Sequence, residues 1–138
     1  MTREELQALA SSVVFARDYD FRVTAFGEGE CTVDVPFHVG LERPGGVVGG
    51  PVFMAAADVA MWLAILTRLG AGDGSVTSSL TTAFLGAARK ESFRCTARVL
   101  KLGQRLIHGV AECVTTDGRL LTHHTVTYMR PERAASSR

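Results

Sequence analysis

Residues 49–70 read GGPVFMAAADVAMWLAILTRLG, and the arrangement of the whole chain follows from this stretch. From Pro51 onward apolar side chains occupy every face of a helix rather than one stripe, the pattern of a helix enclosed by protein. Pro51 suits a first helical position, where the missing N–H has no partner to lose. Gly70, Gly72 and Gly74 end the segment near Leu69. Ala55, Ala56, Ala57, Ala60 and Ala64 let neighbouring backbone come close. Such a helix needs a sheet wrapped around it. Asp58 is the only charged residue between Pro51 and Thr67. A carboxylate in apolar surroundings costs several kcal/mol unless it is paired or hydrogen-bonded. Asp58 is therefore the leading catalytic candidate, the structural alternative being an ion pair with an arginine from a neighbouring strand or subunit.

On the N-terminal side, Thr2-Arg3-Glu4-Glu5 has the capping-box pattern. Leu6, Leu9 and Val13 then predict one short amphipathic helix to about Phe15 or Ala16. Strands are expected near 21–26 and 31–37, joined by Gly27-Glu28-Gly29, followed by a glycine-rich loop over 38–50. On the C-terminal side, β-rich segments near 75–86, 91–102, 105–116 and 119–129 are separated by turn signals. Asp117-Gly118 is the strongest of these and suggests a type I′ hairpin. The last four strands read as an antiparallel meander, since their short connections leave no room for crossover helices. A helix, two strands, one long buried helix and four strands predict an α+β hotdog fold, a curved antiparallel sheet around one central helix. Residues 1–130 form one domain on this reading, and 131–138, PERAASSR, a flexible tail.

Composition narrows the function classes. With 138 residues the chain holds one core, and 15 basic against 14 acidic residues leave a net charge of +1. No overall field recruits nucleic acid or an anionic membrane. Asp58 and the glycines before it argue against a membrane span over 47–66. The N-terminal MTREELQ lacks the basic flank and apolar run of a secretory signal, so a cytoplasmic location is expected. Cys31, Cys95 and Cys113 have no C-x-x-C spacing and fall in strands, which predicts buried free thiols and no metal site. His123 and His124 are adjacent on a strand and point to opposite faces.

The run GGVVGGPVFMAAADVAMW at 45–62, with SVTSSLTTAFL at 75–85 and KLGQRLIHGVAECVTTDGRLLTHHTVTYM at 101–129, resembles the PaaI-like hotdog thioesterases over roughly residues 20–130. In that family a His-Gly-Gly motif opens the central helix, a carboxylate follows on it, and a Ser or Thr comes from the next strand. The resemblance assigns these roles to Gly50, Asp58 and Thr77. Gly49 stands where the His would be and Pro51 where the second Gly would be, a Gly-Pro variant of the motif. The activity implied is hydrolysis of an acyl-CoA, with no cofactor beyond the coenzyme A of the substrate. The alternatives are a non-catalytic acyl-CoA-binding or ligand-sensing protein and a hotdog hydratase or dehydratase.

The chemistry asked of these residues can be stated independently. Thioester hydrolysis needs a base or nucleophile and donors aimed at the developing oxyanion. Asp58 supplies the first, as general base or attacking carboxylate. The Gly50 N–H, at a helix start where free amides favour negative charge, supplies the second. Thr77 can hydrogen-bond the water or the carboxylate. Substrate contacts are expected from Val48, Gly49 and Ser78, and from Arg105 toward the phosphates of coenzyme A. Gly50 and Asp58 lie eight residues apart, about 12 Å along a helix, too far to serve one carbonyl carbon. A complete site then needs a second chain, and the resemblance implies a homodimer or a dimer of dimers.

Overall fold

The computed structural model describes residues 1–132. The chain begins with α1 (Arg3–Ser11), where the Thr2 hydroxyl accepts from the Glu5 N–H at 3.1 Å. The single helix expected to reach Phe15 or Ala16 breaks after Ser11. The Ser12 hydroxyl donates to the Leu9 carbonyl, a local competitor for helical hydrogen bonding, and Val13 turns to extended backbone. A second helix, α2 (Val14–Asp18), therefore leaves in a new direction.

Two strands follow, β1 (Arg22–Gly27) and β2 (Glu30–Val35), closed by a tight turn with Gly29 at φ +76°. The glycine-rich segment is more ordered than a bare loop. It holds a turn of 3-10 helix at Val39–Leu41 and a small hairpin of β3 (Glu42–Arg43) and β4 (Val47–Val48). Then come α3 (Gly50–Leu69), β5 (Val76–Phe84), β6 (Phe93–Leu102), β7 (Leu106–Thr115) and β8 (Leu120–Met129). Six strands form one antiparallel sheet in the order β1-β2-β6-β7-β8-β5, and α3 packs across it, as the hotdog fold requires.

The expected four-strand meander is corrected. Strands β6, β7 and β8 are a meander, but β5 pairs with β8 instead of β6. The connection over 85–92 is eight residues long, and an extended chain covers about 3.3 Å per residue, enough to cross the end of the sheet. The turn at Asp117-Gly118 is also not type I′, because only Gly118 has positive φ (+90°). The Gly118 N–H donates to the Thr115 carbonyl and the Thr115 N–H to the Arg119 carbonyl, the three-residue loop with a glycine bulge.

Cys31, Val33, Cys95, Ala97, Ala111, Cys113 and Val126 from the sheet and Ala56, Ala57, Ala60, Leu63 and Ala64 from α3 are buried in the shared core. At Gly109 a Cβ would collide with Met61 and the Arg98 carbonyl, so glycine there permits the close approach of strand to helix. The three cysteines are buried and free. By length and apolarity α3 resembles a membrane span, yet most of it is covered. One stripe is not: Pro51 and Met54 are exposed, and Ala55, Asp58 and Trp62 half-buried. The helix is thus open along one side rather than enclosed all round.

The two sheet edges differ. Along β1 the Gln7 side chain of α1 donates to the Phe21 carbonyl at 3.1 Å and accepts from the Val23 N–H at 2.7 Å, taking two of the hydrogen bonds that a further strand would make at its start. Along β5, seven of nine residues are exposed. Apolar Val76, Phe84 and Leu85 lie open on it or beside it. The expected tail falls mainly on 133–138, outside the described residues.

Candidate active site

Three elements converge on one carboxylate. Asp58 sits on the open stripe of α3, Thr77 near the start of β5 and Tyr128 near the end of β8, where Thr77 and Tyr128 are direct register partners. Both hydroxyls donate to Asp58 Oδ1, Thr77 Oγ1 at 2.7 Å and Tyr128 Oη at 2.8 Å. Tyr128 Oη also lies 3.0 Å from the Asp58 carbonyl oxygen. Oδ2 receives no protein donor among the described residues, so one edge of the carboxylate is held and the other is free. Asp58 forms no ion pair among the described residues; its fixed partners are hydroxyls instead of arginine.

Next to Thr77 the pairing shifts by one residue, with Ser78 as the extra member of a β-bulge. Bulges re-aim side chains beside functional sites, and this one turns Thr77 toward α3. Tyr128 is 4% exposed. Burial, reinforced by the Asp58 charge, pushes its phenol well above the ordinary range, which keeps it a donor. The expectations from sequence omit Tyr128. The available signal was its place in THHTVTYM, on the face shared by His124 and Val126, since a buried tyrosine hydroxyl needs a partner.

Gly50 is the first residue of α3, with Gly49 as its N-cap. The three backbone amides leading into the helix are not equivalent. The Val48 N–H donates to the Ala88 carbonyl and the Gly49 N–H to the Leu41 carbonyl, each at 2.9 Å. The Gly50 N–H has no intrahelical acceptor and no other acceptor among the described residues. The backbone at Gly50 is not left-handed, and a Cβ there would meet only the Phe84 ring at 3.3 Å. The turn into the helix does not itself demand glycine. Val48 and Gly49 are buried, and their N–H groups are already engaged.

Ser78 is exposed beside Thr77. Arg105 lies in the β6–β7 turn, at the same end of the sheet as Thr77 and Tyr128, because Met129 pairs with both Val76 and Leu106. Its guanidinium is 3.9 Å from Glu132. With Asp73, Gln104 and Arg130 it lines a polar depression of about 480 Å³, and it is not brought to Asp58. His124, fully buried, is bound by Thr82 at Nδ1 (2.8 Å) and by Thr122 at Nε2 (2.7 Å), with Cys113 Sγ 3.8 Å away. No histidine bonds Asp58, and no group of three or more His, Cys, Asp or Glu suited to a metal occurs among the described residues.

The sequence profile described as the thioesterase superfamily matches residues 45–122, which includes Gly50, Asp58 and Thr77 and stops short of Tyr128. A candidate esterase of Saccharolobus solfataricus is 34% identical over 101 residues, 73% of this chain and 71% of that protein. The solved structure of a candidate thioesterase from Silicibacter sp. TM1040 superposes with a TM-score of 0.85 at 28% identity, covering 96% of this chain and 93% of the other. The Escherichia coli PaaI protein from the phenylacetic acid degradation operon superposes with a TM-score of 0.83 over 94% of this chain and 92% of its own. Its identity is 18%, so that likeness is one of fold. A sequence profile covering more than half of the chain and a relative above 30% identity agree with the central helix and its wrapped sheet: this chain belongs to the thioesterase superfamily of hotdog proteins.

Proposed function

We propose that the protein is an acyl-CoA thioesterase that works as a homodimer, or a dimer of dimers, with Asp58 as base or nucleophile. The observation that carries this reading is the half-held carboxylate. Thr77 and Tyr128 fix Oδ1, while Oδ2 is left to meet a water or the thioester carbonyl. In the general-base form, Oδ2 takes a proton from water as its oxygen adds to the carbonyl carbon. The Gly50 N–H donates to the resulting oxyanion, and collapse breaks the C–S bond to release the coenzyme A thiol. In the nucleophilic form Oδ2 adds directly, the C–S bond breaks to release the coenzyme A thiolate, and water opens the mixed anhydride that results. A single turnover in ¹⁸O-water that gives unlabelled acid and ¹⁸O in Asp58 identifies an anhydride opened at the Asp58 carbonyl carbon, whereas labelled acid fits the general-base route or opening at the acyl carbon.

Assembly completes the site. About 12 Å of helix separates Gly50 from Asp58 within one chain, so the oxyanion donor must come from a second copy. The exposed β5 edge and the open stripe of α3 are where that copy would sit. An uncovered, partly apolar edge of this length invites pairing with another strand, whereas Gln7 already occupies the start of the β1 edge.

The Gly49 and Pro51 substitutions belong to this proposal as a Gly-Pro form of the motif, with oxyanion binding resting on the Gly50 amide. The hydratase reading, which needs a His paired with a carboxylate, finds no support in the hydroxyl partners of Asp58. The test is release of free thiol from a panel of acyl-CoAs. Asp58→Asn should reduce turnover by at least about a hundredfold, the effect of losing a positioned base, with oligomer and fold intact. Thermal protection by acyl-CoA without any thiol release would identify a binding protein instead.

A further inference from the structure

An apolar depression of about 140 Å³ is lined by Asp58, Val59 and Trp62 of α3, by Tyr128, and by Val13 and Phe15. The last two come from outside the family match at 45–122. They arrive there because the chain breaks after Ser11, which turns Val13 into extended backbone and starts α2 in a new direction. Trp62 is one helical turn beyond Asp58 on the same open stripe.

The lining selects a chemistry. Apart from Asp58 itself, its polar side-chain groups are the Tyr128 hydroxyl, already committed to Asp58, and the Trp62 indole N–H. It holds no cation to complement the phosphates of coenzyme A. Its volume is close to that of an apolar protein cavity of about 150 Å³ known to take benzene. We infer that this depression receives the acyl group of the thioester, that it fits one six-membered ring or about six carbons, and that Phe15 and Val13 of the N-terminal segment set this limit. The inference rests on the reading of Asp58 as the hydrolytic group and adds the class of acyl group that it serves.

Trp62 is the only tryptophan, so its emission reports occupancy without requiring turnover. Asp58→Asn protein is titrated with benzoyl-CoA, hexanoyl-CoA, dodecanoyl-CoA and free coenzyme A. Saturable changes are expected with the first two, and neither dodecanoyl-CoA nor free coenzyme A should match them. In wild-type turnover, kcat/KM for the two compact substrates should exceed that for dodecanoyl-CoA by at least about tenfold, the scale on which apolar pockets discriminate size. Phe15→Ala should narrow that ratio by raising the dodecanoyl value. The assignment is overturned if Trp62 emission ignores both compact acyl-CoAs, if free coenzyme A reproduces their effect, or if Phe15→Ala leaves the chain-length profile as it was. A saturable Trp62 response with no thiol release from wild type would keep the acyl pocket and remove the hydrolytic role of Asp58.

Discussion

Two hydroxyl donors on one carboxylate oxygen make Asp58 a group of fixed direction, and the two donors are not equal. Thr77 belongs to an exposed edge strand, whereas Tyr128 is buried and also reaches the Asp58 carbonyl oxygen. A hydrogen bond to a charged group contributes about 1.5–3 kcal/mol. Tyr128→Phe should therefore lower kcat by about tenfold or more, less than Asp58→Asn, and combined with Thr77→Ala the losses should couple rather than add. Steady-state kinetics on the two single variants and the double variant check this. The phenol also has a stability signature. Its folded pKa is raised above the ordinary value of 10.0, so above pH 10 the unfolded chain binds fewer protons than the folded one. Stability is then lost as pH rises. Urea unfolding between pH 8 and pH 11 should show a smaller loss for Tyr128→Phe than for wild type. Asp58 could be singled out in the sequence because one charge in an apolar helix is conspicuous. Tyr128 is less conspicuous, because its place on the inward face of a strand shows that its hydroxyl needs a partner but not which one.

At the scale of elements, α1 acts as a substitute strand. Gln7 supplies both an acceptor for the Val23 N–H and a donor for the Phe21 carbonyl, and Leu6 and Ala10 anchor the helix in the core. Gln7→Ala leaves two part-buried backbone groups without protein partners, a cost of about 1–3 kcal/mol. Denaturant unfolding should show that loss, whereas thiol release at low temperature should be nearly unaffected. Periodicity and turn residues located every major helix and strand to within a few residues, since those signals are local. The partners of β5 were not legible. Its pairing with β8 depends on where an eight-residue connection runs across the sheet, and no residue within β5 encodes that path. The break after Ser11 was equally hidden, because the Leu6, Leu9 and Val13 spacing fits a continuous helix and only the competing Ser12 hydroxyl interrupts it.

For the whole molecule, the proposed carboxylate and oxyanion donor lie at opposite ends of two turns of one helix, so on that reading activity belongs to an assembled dimer. Each site would combine Gly50 of one chain with Asp58, Thr77 and Tyr128 of the other. Gly50→Val should fold, because the first atom it adds meets only the Phe84 ring, which is 55% exposed and can move aside. It should still crowd the oxyanion. Asp58→Asn removes the carboxylate, and each variant alone should be nearly inactive while assembling normally. Coexpressed with different tags and purified as the mixed species, the two lesions fall in one site and leave the other wholly wild type. That species should recover up to about half of the native activity, by counting sites on a two-fold interface. Thr77→Ala mixed with Asp58→Asn is the control. Both positions serve the same half of a site, so every mixed site carries one lesion and no wild-type site is restored. A Gly50/Asp58 mixture as inactive as its parents, with mixed dimers demonstrated by tandem affinity purification, would place the oxyanion donor on the same chain as the carboxylate or on another residue altogether.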